Sequence, residues 1–100
     1  MVQLIPLDID GRQAIGVRVD LPQTNLIAIT TDKGYIMCGA LDVQLLNERL
    51  ANRKIIAGRA VGVRTFEDLL QAPLESVTDG AKEIGIHVGM AGIEAIAKMF

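Results

Sequence analysis

Apolar and polar residues alternate from the start of the chain. Ile5, Leu7 and Ile9 are separated by Pro6 and Asp8, and Ile15, Val17, Val19 and Leu21 by Gly16, Arg18 and Asp20. A period of two is the mark of a strand with one face turned to a core. Asp10-Gly11 lies between the two runs and predicts a hairpin, because a type I′ turn needs φ > 0 at both central residues. Two registers are compatible with the sequence. A two-residue loop pairs Leu7 with Ala14, whereas a three-residue loop sets Leu7 opposite Ile15 and segregates the faces better. Either leaves apolar surface over. Leu21-Pro22-Gln23-Thr24 breaks the pattern, since proline cannot donate to a central ladder. Asn25–Thr31 follows as a third strand, apolar on both faces, and Tyr35–Cys38 as a fourth beyond the Asp32-Lys33-Gly34 turn.

The period then lengthens. Asp42 caps or begins a helix expected to reach about Arg53, with Val43, Leu46 and Leu50 on one face. Residues 57–63 (AGRAVGV) return as a strand whose Gly58, Ala60 and Gly62 leave one face nearly bare, suited to close packing. Thr65-Phe66-Glu67-Asp68 has capping-box form and opens a short helix. Pro73 is expected in the first turn of a further helix with Leu74, Val77, Ala81 and Ile84 on one stripe and Gly85 as its αL cap. A last helix spans about Met90 to Met99. The predicted class is α+β: an antiparallel β-meander, one βαβ unit, then C-terminal helices, in a single domain of residues 1–100. Its β-rich part is 1–40 and its α/β part 41–100.

Composition sharpens one point. Half of the 100 residues are apolar and only 22% are charged, with a mean hydropathy of +0.35. A domain this small hides roughly 60–65% of its unfolded surface. No uncharged apolar run approaches the ~18 residues a bilayer needs, so the surplus is expected between subunits. A net charge of −2 with scattered basic residues argues against nucleic acid as a partner. The N-terminal MVQLIPLDID lacks the basic and long apolar stretches of a secretory signal. One cysteine without a partner matches a reducing cytoplasm.

If the strand ending at Cys38 and the strand beginning at Ala57 are parallel neighbours, their carboxyl ends share an edge, where sheets with crossover helices tend to bind ligands. That edge would gather Cys38, Gly39 and Ala40 with Arg64 and Thr65: a thiol, free N–H groups, a guanidinium and a hydroxyl, able to hold a carboxylate or phosphate. Cys38 has two readings. A thiol at a helix N-terminus is a candidate nucleophile, and the same residue is a small apolar filler for a buried corner. Asp42 opposes the first, because a carboxylate at the cap repels a thiolate. One Cys and one His make no four-ligand zinc site, and neither GxGxxG nor GxxxxGK[ST] occurs. No metal and no cofactor are therefore expected.

The blocks Leu21-Pro-Gln-Thr-Asn-Leu26, Gly34-Tyr-Ile-Met-Cys-Gly-Ala-Leu-Asp42, Ala57-Gly-Arg-Ala-Val-Gly-Val-Arg-Thr65 and Ala72-Pro-Leu-Glu-Ser-Val-Thr78 resemble the YunC-like family of small bacterial and archaeal proteins, a domain of unknown function. The resemblance implies a β-rich N-terminal region that drives tetramerisation, and it implies no activity for any residue. The expectation is a cytoplasmic homotetramer that binds a small anionic metabolite at the Cys38–Arg64 edge. A small Cys38-dependent enzyme and a purely structural subunit are the alternatives.

Overall fold

Six strands form one sheet in the order β1-β2-β3-β4-β5-β6 in a computed structural model that describes residues 1–48 and 54–100. The strands are β1 (Val2–Ile9), β2 (Arg12–Leu21), β3 (Thr24–Thr30), β4 (Tyr35–Met37), β5 (Ala57–Arg59) and β6 (Ser76–Val77). The helices are α1 (Val43–Glu48), α2 (Phe66–Gln71), α3 (Asp79–Glu83) and α4 (Gly92–Ala97). β1 to β4 are an antiparallel meander, β4 and β5 run parallel across α1, and β6 returns antiparallel. The α+β class, the meander and the βαβ unit are those expected from the sequence. The expected continuation of α1 to Arg53 lies outside the described residues.

One open choice is resolved and two expectations need correction. The first hairpin has the two-residue loop, with Ile9 opposite Arg12 and Leu7 opposite Ala14. Asp10 and Gly11 take φ of 52° and 82°, and the twist of such a turn matches that of its strands. The gain from better face segregation lost to turn chemistry. The strand from Ala57 stops at Arg59 rather than Val63, because β6 pairs only with Gly58 and Arg59 and Gly62 turns the chain at φ 74°. Finally, Leu74 and Val77 are not on a helix. Ser76 and Val77 are strand, and the helix begins at Asp79, capped by the Thr78 hydroxyl, which accepts from Ala81 N. Thr78 is buried, yet its hydroxyl also donates to Ile55 O at 2.6 Å and accepts from Ala57 N at 3.1 Å. One side chain thus joins the start of β5 to the start of α3.

The register assigns each residue a face. Ile5, Gly16, Ile29, Ile36, Gly58 and Val77 lie in one row across the sheet, and α2 and α4 cover this side. Gly16 lets the Phe66 ring pack close to the sheet, since a Cβ would stand 2.9 Å from the ring and push it away. At the α2–α4 crossing a Cβ on Gly92 would approach Leu69 O to 2.1 Å. Ile27, Ile29, Ile36, Leu69, Leu74, Ile86, Ile96 and Met99 are fully buried here; an aliphatic side chain of this kind stabilises by about 1.5–3 kcal/mol.

The other side is divided. α1 covers β4 and β5, where Leu41, Val43 and Ala57 pack with Tyr35, Met37 and Leu46. Over β1 to β3 nothing covers it among the described residues. Val2, Val19 and Leu26 form one row, Leu4, Val17 and Ala28 the next, and Pro6 and Ile15 a third. Val2 and Leu4 are 63% and 67% exposed.

Candidate functional site

Because β4 and β5 are parallel, with Met37 opposite Arg59, their carboxyl ends share an edge. Just past β4 the chain turns: Cys38 N donates to Ile27 O, and Cys38 O accepts from Leu41 N, both at 3.1 Å. Asp42 follows, its Oδ1 accepting from Leu45 N at 3.0 Å, which fixes the start of α1. The N–H groups of Gly39 and Ala40 donate to no protein group among the described residues.

Arg59, the last residue of β5, reaches into this turn. Its Nε and Nη2 both donate to Gly39 O, at 3.3 and 3.1 Å, while Nη1 donates to Glu75 Oε2 at 2.8 Å. Around it lies an open cleft of about 510 Å³, lined by Gly39, Asp42, Gln44, Arg59, Glu75 and Ser76 among others. A smaller cavity, about 230 Å³, lies at the opposite strand ends beside Gln13, Thr30, Lys33 and Met99.

Of the residues expected at this edge, the structure brings Gly39 and Ala40 to the cleft. Cys38 precedes them but points into the helix-covered core with Ile27 and Ile36, 7% exposed. Arg64 and Thr65 lie beyond the early end of β5 and open α2 instead. Thr65 Oγ1 accepts from Asp68 N at 3.0 Å, and Arg64 N donates to Asp68 Oδ2 at 3.1 Å. The guanidinium hydrogen-bonded to the Cys38–Leu41 turn is therefore that of Arg59, not Arg64. Parity carried a usable signal, since parallel pairing with Met37 sets Arg59 on the α1 side. Glu75 had none, because it reaches Arg59 only through the β5–β6 return.

His87 is exposed between α3 and α4, with Nδ1 3.0 Å from Val88 O. No group of three or more His, Cys, Asp or Glu side chains converges as a metal site among the described residues. Tyr35, half-covered beneath α1, has its phenol pushed up from 10.0 by burial.

A family model described as a domain of unknown function (DUF1805) matches residues 37–99, from the last residue of β4 onward. The chain is similar over its length to the uncharacterized protein YunC of Bacillus subtilis (strain 168), 61% identical across 99% of this chain and 98% of that protein. The crystal structure of a protein of unknown function, TA1206 from Thermoplasma acidophilum, superposes with a TM-score of 0.89. It is 31% identical and covers 100% of this chain and 94% of its own.

Proposed function

The chain belongs to the YunC-like DUF1805 family, and on that premise we propose that it is a self-assembling binding module of the cytoplasm. Copies join through the uncovered face of β1 to β3, in a homotetramer, and the strand-end cleft takes a small ligand with an anionic group. The observation that carries this reading is the character of the uncovered face. From Val2 to Thr30 its three rows hold Val, Leu, Ile, Pro and Ala with Thr30 at one margin, and no charged residue. Val2, Leu4 and Ile15 are 63%, 67% and 38% exposed on it, and a contiguous exposed apolar patch is the usual mark of an interaction surface. The next row, Asp8 opposite Gln13, brings one carboxylate to the margin; the apolar rows inside it are matched best by another apolar face, which a second copy supplies.

In the cleft, Arg59 is the natural anchor for the ligand. Its ion pair with Glu75 is partly exposed, with side chains 31% and 43% accessible, and such pairs contribute only about 0–1 kcal/mol. A carboxylate or phosphate can therefore compete with Glu75 for Arg59, with the Gly39 and Ala40 N–H groups as further donors. The enzyme alternative finds less support, since the Cys38 thiol is turned away from the cleft.

Assembly is tested by the concentration dependence of thermal unfolding. If folding and association are linked, the midpoint rises as protein concentration is raised from micromolar to hundreds of micromolar. A midpoint independent of concentration, together with a monomeric mass, would remove the assembly half of the reading.

A further inference from the structure

We propose that the ligand of the strand-end cleft is a small zwitterion of the α-amino-acid kind, its carboxylate on Arg59 and its ammonium group facing Glu75 and Asp42. This rests on the binding reading above and names the ligand class. The cleft wall carries one fixed cation, Arg59, and two carboxylates, Asp42 and Glu75. A simple anion that takes Arg59 from Glu75 leaves Glu75 unpaired beside itself, with Asp42 adding to the repulsion. A simple cation drawn to the carboxylates meets the guanidinium, which Gly39 O holds in place through two hydrogen bonds.

A zwitterion avoids both penalties. Its carboxylate takes the Nη1 donor that Glu75 releases, and its ammonium group pairs with the released carboxylate, so the exchange leaves every charge with a partner. Asp42 has one oxygen on the Leu45 amide, which leaves the other to receive a second N–H of the ligand. Ser76 and Gln44 supply neutral hydrogen-bonding groups on the same wall. With about 510 Å³, the cleft is of the size that small-molecule sites have.

Glycine, acetate and methylammonium serve as probes, followed through the backbone amide shifts of Gly39–Gln44, Arg59 and Ser76 in the native protein. Glycine is expected to bind there about tenfold more tightly than either single-charge probe, which corresponds to one additional charge-assisted contact. Two variants keep the fold: Asp42→Asn, because asparagine caps a helix as well as aspartate, and Glu75→Gln, whose amide oxygen still accepts from Arg59. Both should weaken glycine, while Glu75→Gln should strengthen acetate. Equal binding of acetate and glycine at the cleft would overturn the zwitterion and leave the anion-binding reading standing. No cleft shifts with any probe, or shifts with methylammonium alone, would overturn both.

Discussion

Single side chains decide what chemistry is open to this protein, and Cys38 and Tyr35 are the two most easily interrogated. Cys38 is the chain's only cysteine, buried under α2 and α4 beside Ile36 rather than presented to the cleft. Its thiol should react with iodoacetamide at near-neutral pH only as fast as the fold opens, and at full rate in denaturant. Rapid labelling of the native protein would revive a nucleophilic role. Tyr35 is the only tyrosine, and tryptophan is absent, so the absorbance of its phenolate reports one group. Burial pushes its pKa up from 10.0, so the native state holds the proton more tightly than the unfolded chain. Stability from this group is therefore intact below the unfolded value near 10 and is lost as pH rises toward the native one. An absorbance titration should give a midpoint above that of the denatured protein. A coincident pair of curves would contradict the placement of Tyr35 beneath α1.

At the scale of elements, the register of β2 and β3 separates two substitutions that the sequence treats alike. Val17 and Ile27 are both β-branched residues in apolar strands, and either position is a reasonable choice for disrupting an interface. Ile27 stands on the helix-covered side, 1% exposed, and Val17 on the uncovered side opposite Leu4 and Ala28. Ile27→Lys buries an unpaired charge in the core and should abolish cooperative unfolding. Val17→Lys should leave the far-ultraviolet circular dichroism of the monomer native and lower the mass of the assembly. Closure of the sheet's outer edge points the same way. In a two-residue hairpin the odd residues of β1 bond to β2, as Asp20 N to Met1 O at 2.8 Å shows. Pro6 therefore occupies an outward position, where its missing N–H discourages a further strand, which is consistent with the proposed association through the face.

These elements also mark how far the sequence could be read. Alternation, Asp10-Gly11, Pro22 and the capping box at Thr65 are local signals, and each predicted its element. The two-residue register could have been chosen from Asp10-Gly11 alone had turn chemistry been weighed above face segregation. β6 had no such signal. A two-residue strand has no period, and Leu74 and Val77 at a spacing of three look helical, although Leu74 in fact fills the space over Gly58. The site suffered for the same reason. Extending β5 by four residues set Arg64 rather than Arg59 beside the turn after β4, and Glu75 was invisible until β6 returned along β5.

For the whole molecule, composition and topology converge on one claim. A chain that is half apolar builds its core on one side of the sheet and under α1, and among the described residues nothing covers the face of β1 to β3. The family model begins at residue 37, after this face, whereas the Bacillus relative shares nearly the whole chain. No helix among the described residues is long and apolar enough to cross a membrane; association of copies is the proposed way to take this face out of water. Sedimentation equilibrium of the native chain beside Val17→Lys tests that claim most directly. The account predicts a native mass of a whole multiple of 10.8 kDa, four being the expected number, and a folded variant shifted toward the single-chain mass. A native protein that stays monomeric at tens of micromolar, or a variant that keeps the native mass, would contradict it.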